Sequence, residues 1–270
     1  MKLKKFTAPL AASLMLASGA AFAEPFYLNV NTFDTSPLGG TDGLTSLIYQ
    51  LGVNWSATST FTDDDGNAGL TVGDSVVDSG FGTVSSYLDQ NANAIAGGEN
   101  NEGVGVTHQL VFDYDDLSGT VAFNDGAGGI LASYTSGTIH IYNDNNADGD
   151  TTDAGEGEVL TLDVFASTGT VGNVIIYATV SAVDPNIFFF PPATDWSTLT
   201  VAIVARIDSN IDPLVPTQIA DDANGNDRYQ RTSTLDGSVS FNRVPEPGVL
   251  ALLGIGLIGL GAARRVKKAA

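Results

Sequence analysis

The chain has 270 residues, 31 of them acidic against 11 Lys plus Arg, for a formal net charge of −20, and it has no cysteine. This balance excludes nucleic acid as a partner, because phosphate binding needs a basic face; the missing thiol excludes disulfide staples and cysteine chemistry together. The few basic residues cluster at the two ends, so residues 24–247 hold only Arg206, Arg228, Arg231 and Arg243 against all 31 acids, a formal charge of −27.

At the start, Lys2, Lys4 and Lys5 precede an apolar stretch from Leu10 to Leu16 and the small-residue site Ala21-Phe22-Ala23. This is the pattern of a cleaved secretory signal peptide over residues 1–23, with Glu24 as the first mature residue. An N-terminal membrane helix fits less well, since Ser13, Ser18 and Gly19 shorten the apolar block. Residues 24–243 are expected to form one extracytoplasmic domain, an ordinary length for a single all-β unit. Early in it, Leu44, Leu47, Ile48 and Leu51 fall at i, i+3, i+4 and i+7 after Asp42, which predicts a short capped helix.

Period two then takes over. Leu51, Val53 and Trp55 alternate, as do Val106, His108, Leu110 and Phe112, then Ile139 and Ile141, Leu160, Leu162 and Val164, Val174, Ile176 and Ala178, and Val201, Ile203 and Ala205. Such runs read as half-buried strands. Turn residues such as Asn124-Asp125-Gly126, Ser136-Gly137 and Ser167-Thr168-Gly169 separate them. About ten or eleven strands with no helix-length segment between them predict an all-β, antiparallel β-sandwich, jelly-roll-like in character. Gln90 to Gly105 reads as a long surface loop. The run Ile187-Phe188-Phe189-Phe190, followed by Pro191-Pro192, must put a ring on each face of a strand. It reads as a largely buried strand end, with an exposed aromatic surface for a partner or sugar rings as the other reading.

One loop carries metal-ligand spacing. Asp144, Asn146 and Asp148 occupy calcium-loop positions 1, 3 and 5, Gly149 the turn position 6, and Asp150 position 7. Position 12 is Gly155, with Glu156 one place later, and the flanks "GTIHIY" and "EVLTLDVF" read as strands. The residues therefore argue against an EF-hand pair and for a calcium-stapled β connection held by Asp144, Asn146, Asp148, Asp150 and Glu156, with Asp153 as a further ligand. A solvated acidic hairpin loop without an ion is the alternative. Asp63, Asp64, Asp65 and Asn67 form a second acidic cluster, but Gly66 is misplaced for the same loop; Asp221 to Asp227 lacks the sixth-position glycine. Both read as solvated turns.

Catalysis is not expected. Alternation places His108 toward the core and His140 toward solvent or the metal loop, and no Gly-x-Ser-x-Gly elbow is present. Gly254, Gly256 and Gly259 spell a dinucleotide fingerprint, yet no strand precedes them and no acidic residue follows.

Those glycines belong to the chain's last feature, in which Val244-Pro245-Glu246-Pro247 leads into sixteen uncharged residues, Gly248 to Ala263, and then Arg264, Arg265, Lys267 and Lys268. At about 1.5 Å per residue the span makes a helix near 24 Å, just short of a ~30 Å hydrocarbon core, and the cations after it stay cytoplasmic. Residues 244–270 are thus expected to hold a transmembrane sorting helix. With the signal peptide, this ending resembles the PEP-CTERM proteins. The resemblance implies export through the inner membrane and processing by an exosortase that reads Pro245, Glu246, Pro247, Arg264 and Arg265. It also implies membrane contact through the C-terminal helix before processing, and a final place at the cell surface or in the extracellular matrix. The stretches "NDNNADGDTTDAGEGE" and "GLTVGDSVVDSGFGTVSSYL" further resemble the flocculation-associated PEP-CTERM proteins, which implies cell aggregation with extracellular polysaccharide. An acidic body facing acidic exopolysaccharide needs divalent cations as bridges, since like charges repel. A carbohydrate-binding module, or a polysaccharide-active enzyme on the same anchor, is the rival reading.

Overall fold

The structure is a computed structural model and describes residues 23–32, 43–67, 69–96, 103–211 and 215–244. The expected signal peptide, apart from Ala23, and the expected C-terminal membrane helix lie outside these residues. In chain order the strands are β1 (Tyr27–Leu28), β2 (Gln50–Thr62), β3 (Ser75–Leu88), β4 (Gln109–Asn124), β5 (Ile130–Ser136), β6 (Thr138–Asp144), β7 (Gly157–Thr170), β8 (Asn173–Val183), β9 (Phe188–Phe190), β10 (Thr194–Asp195), β11 (Ile203–Ile211), β12 (Thr217–Ile219) and β13 (Arg228–Arg243). Alternation is plain along β2, where Trp55, Ala57, Ser59 and Phe61 are buried while Asn54 and Ser56 are exposed. β5 and β6 act as one bent strand, broken at Gly137 with φ 134°, and pair with successive halves of β4.

Eight strands in the order β11-β8-β7-β6-β4-β3-β2-β13 are antiparallel neighbours, and β13 returns to pair with β11 from Ile203↔Arg243 to Ile211↔Leu235. The ring is closed, so the expected sandwich is corrected to an eight-stranded antiparallel barrel. One-face-in alternation is common to both architectures. Curvature distinguishes them, and it is supplied by register shifts between β2 and β3, β3 and β4, β6 and β7, and β7 and β8. Glycine on the inner wall contributes as well. Gly82 stands in register between Trp55 and Phe112, where a Cβ would lie 2.2 Å from the Trp55 Cβ. The two rings meet edge-on at 5.9 Å across it.

The barrel is filled. Its central void of about 40 Å³ is lined by apolar side chains including Leu51, Phe112, Ile139, Leu162 and Ile207, which makes it dry and far smaller than a small-molecule site of roughly 300 Å³ or more. A separate sheet, β1-β9-β10, caps one end around Trp196, which is 2% exposed and lies 4.8 to 5.4 Å from the rings of Phe26, Phe188, Phe190 and Phe241. Residues 44–48, expected to be helical, are extended along this cap. Phe26 and Ile48 exchange backbone hydrogen bonds at 2.9 and 2.7 Å, and the Thr45 N–H donates to the Leu28 carbonyl. Leu47 is consequently 46% exposed, because pairing with the start of the domain overrides the local helical spacing.

Glu24 and Val244 both sit at this capped end, called here the terminal end; the β2–β3, β4–β5 and β12–β13 loops sit at the opposite, distal end. Toward the distal end a polar row crosses the core, with Arg231, Ser59 and Asp78 in register on β13, β2 and β3. The Tyr134 hydroxyl donates to Asp78 Oδ2 at 2.5 Å, while Asp78 Oδ1 and the Ser233 hydroxyl are buried without hydrogen-bond partners among the described residues. Burial pushes the Asp78 carboxyl up to about 6, against the pull of the Tyr134 and Ser59 hydrogen bonds and the Arg231 charge. A carboxyl raised from 3.8 favours the fold while protonated, so its contribution is complete below pH 3.8 and is lost as pH rises through about 6. The loss amounts to about 3 kcal/mol. Asp78→Asn keeps an acceptor for Tyr134 and removes the charge. Urea unfolding from pH 4 to 7.5 should show the variant gaining on the wild type as pH rises; a constant difference would show that Asp78 does not titrate in this range.

Candidate functional site

The distal β2–β3 connection gathers three carboxylates. Ligand atoms of Asp63, Asp65 and Asp74 lie within 4.8 Å of one another, and Asp63 and Asp74 are only 3% and 2% exposed. Backbone amides shape the loop: Gly66 N–H donates to Asp63 Oδ1 at 2.9 Å, Thr71 N–H to Asp74 Oδ2 at 2.6 Å and Asp64 N–H to Asp74 Oδ1 at 3.2 Å. Neighbouring loops brace it, since Asp63 N–H donates to the Asp227 carbonyl at 2.9 Å and Asn124 Nδ2 to the Leu70 carbonyl at 2.6 Å. The Asp63 carboxyl is pushed up, first by burial and then by the charges of Asp74 and Asp65, whereas hydrogen bonds from the backbone and side chain of Asn67 hold Asp65 down. Counted from Asp63, Asp65, Asn67, Gly69, Thr71 and Asp74 fall at positions 3, 5, 7, 9 and 12 of a calcium loop, with Ala68 at position 6 where such a loop has glycine. The sequence reading missed this register because it tested the place of Gly66. The acid at position 12 is the signal that finds it.

The connection singled out from the sequence, between β6 and β7, lies at the terminal end. Asp144 is fully buried, and its carboxylate accepts from the amides of Asn146 (3.2 Å), Ala147 (2.7 Å) and Gly149 (2.8 Å). Asn146 Oδ1 accepts from Asp148 N–H, and Asp148 Oδ1 from Asp150 N–H, both at 3.1 Å. Glu156 clamps the loop mouth by accepting from the amides of Asn145 at 3.0 Å and Asp153 at 2.9 Å. The five residues thus share one ordered loop, but among the described residues the convergence of three carboxylates occurs at Asp63, Asp65 and Asp74. The third acidic run also forms a capped turn, in which Asp222 Oδ1 accepts from the amides of Asn224 at 2.7 Å and Asn226 at 2.9 Å.

Other sequence candidates are placed as follows. His108 is fully buried with Nε2 2.9 Å from the Tyr87 hydroxyl, and His140 lies on the outer wall with Nδ1 3.0 Å from Glu158 Oε1, an interaction that raises the imidazole's pKa. Trp55 and Trp196 are both core residues, and Phe188 and Phe190 are buried while Phe189 stacks on Tyr27 at 5.4 Å. The Arg243 guanidinium pairs with the Glu24 carboxylate, with Nε 2.9 Å from Oε1, and Val244 N–H donates to the Ala202 carbonyl at 2.8 Å. Pro245, Glu246, Pro247, Arg264 and Arg265 lie outside the described residues.

The burial of Asp63 beside Asp74 and Asp65 has a measurable consequence in metal-free buffer. Because the Asp63 pKa is raised, its strain is absent in acid and appears as pH rises. Asp63→Asn, which keeps the acceptor for Gly66 N–H, should raise the melting temperature at pH 7 in EDTA and leave it unchanged at pH 3. A lowered melting temperature at pH 7 would mean that the ionised Asp63 carboxylate does not strain the fold.

No curated protein and no solved structure matches the chain. A family model described as the PEP-CTERM protein-sorting motif matches residues 243–265, beginning at the arginine that pairs with Glu24. The chain therefore carries the sorting motif of exported proteins that an exosortase processes for the cell surface.

Proposed function

We propose that the protein is a non-catalytic matrix component that promotes cell aggregation by bridging to acidic exopolysaccharide through divalent cations. The observation that carries this reading is polarity: the sorting segment leaves from one end of a rigid barrel, and the Asp63, Asp65 and Asp74 carboxylates gather at the other. Hard oxygen ligands on alternate residues suit Ca²⁺, and a loop with few protein charges suits affinities of order 10⁻⁴ to 10⁻³ M, as in extracellular modules. The Asp144 to Glu156 loop is a second calcium candidate, at the terminal end of the barrel. A surface at −27 repels anionic polysaccharide until such ions neutralise it. The filled interior and the placement of His140 on an open wall support a binding role over catalysis.

Calcium titration tests the distal centre. Ion at ten to a hundred times Kd stabilises by about 1.4 to 2.7 kcal/mol, so millimolar Ca²⁺ should raise the melting temperature and EDTA should reverse the gain. The double variant Asp63→Asn/Asp74→Asn should lose most of the response, while Asp144→Asn reports the other loop separately. Flocs of producing cells should disperse in EDTA. A calcium-insensitive melt together with EDTA-resistant flocs would remove cation bridging from the account.

A further inference from the structure

The outer wall of the barrel is not uniformly acidic. Across β13, β2 and β3 the outward-facing side chains fall in register as rows, with Thr232, Thr58 and Ser79 in the middle and Thr234, Ser56 and Phe81 to one side. Gln230, Thr60 and Val77 form the row on the other side. None of the three rows holds a charge, on a body whose formal charge is −27. Charges resume at the borders, at Asp236 beyond Thr234 on β13 and at Asp113, the partner of Phe81 on β4. Two outward steps along each strand and two strand spacings make the face about 14 Å long and about 10 Å wide between its outermost backbones.

Phe81 and Val77 are 49% and 45% exposed. Phe81 is flanked by short hydroxylated residues, Ser56 across the ladder and Ser79 and Thr83 along its own strand. A phenyl ring among hydroxyls matches a pyranose, which has a C–H face to stack and a rim of hydroxyls that both donate and accept. Thr58 Oγ1 and Thr232 Oγ1 lie 3.3 Å apart, a hydrogen bond that uses one of their two hydrogens. The lack of carboxylates matters equally, because covering an ionised group with an uncharged chain strips its hydration without replacing it. Such a face is poor material for a protein interface, whose centre gathers several aromatic anchors and is depleted of serine.

We propose that the outer face of β13, β2 and β3 binds an uncharged polysaccharide chain, with Phe81 stacking on the C–H face of one pyranose ring and the hydroxyls of Thr58, Thr232, Thr234 and Ser79 meeting those of the chain. This goes beyond the bridging of acidic polysaccharide, since it needs no ion. A calcium-insensitive melt would leave it standing.

Native gels cast with hydroxyethylcellulose, galactomannan or dextran and run in EDTA test the face on the full-length protein, held in a polyoxyethylene detergent that carries no sugar. At least one polymer should retard it. Phe81→Ala should weaken that interaction about tenfold, since about half of a phenylalanine's burial is at stake. Thr58→Glu, which sets a charge in the middle row, should abolish it. Phe123→Ala is the control, because that ring is 47% exposed but lies on β4, outside the face; it and Asp63→Asn/Asp74→Asn should leave retardation unchanged. Mobility unaffected by all three polymers overturns the proposal, and so does an equal loss in Phe123→Ala. Retardation that appears only when Ca²⁺ replaces EDTA overturns it by assigning the sugar contact to the cation centre. Mobility that falls with protein concentration in polymer-free gels, and is restored by Thr58→Glu, overturns it by assigning the face to a second copy of the chain.

Discussion

Closure between β13 and β11 is the interaction on which the rest of the structure depends. The sixteen residues of β13 pair with β2 along their first part and with β11 along their last, so one strand converts an open sheet into a ring. An open sheet of this length would present two rows of unpaired amides and carbonyls to other copies, and closure removes them without any cysteine. The same strand sets where the sorting segment emerges, since β13 ends at Arg243 and the matched motif begins there. The Arg243–Glu24 pair and the β1-β9-β10 cap then tie the start of the domain to that exit.

High acidity has a structural explanation before a functional one. Asp89, Asp125, Asp144 and Asp222 each accept from backbone amides two to five residues ahead, and in Asp89, Asp125 and Asp222 these bonds hold the carboxyl below its usual range. Such acids fold loops, as turn-forming side chains do, and their charge is already committed to the backbone. Asp63 differs, because burial, and after it the charges of Asp74 and Asp65, move its pKa in the opposite direction. Acid count alone does not distinguish a capped turn from a candidate cation centre, whereas the convergence of Asp63, Asp65 and Asp74 does.

That distinction also marks what the sequence could reveal. Strands and the split of Phe188, Phe189 and Phe190 between faces follow from period two and from side-chain type, and both were legible. Barrel closure was not, because the β11–β13 pairing joins residues about thirty positions apart and leaves the inward–outward pattern of each strand unchanged. The spacing of Leu44, Leu47, Ile48 and Leu51 pointed to a helix, but backbone pairing with Phe26 and Leu28 took precedence, a tertiary effect invisible to a local window. At the candidate site, Asp144 showed its spacing openly. Asp74 lay hidden behind the misplaced Gly66, although an acid at position 12 was there to be counted.

The fold also suits a molecule loaded between its two ends. If cations bridge the distal loops as proposed, tension would enter β13 at Arg243 and run along the strand to Arg228. From there it passes to Asp227, whose carbonyl holds the Asp63 amide at 2.9 Å. Ladder hydrogen bonds lie perpendicular to the strands, so this pull shears the bonds to β2 and β11 together instead of peeling them one by one. The apolar inner face of β13, from Leu235 through Val239 to Phe241, resists the same displacement by packing. A sandwich with β13 at a free edge would have one ladder to share that load; closure gives the strand two.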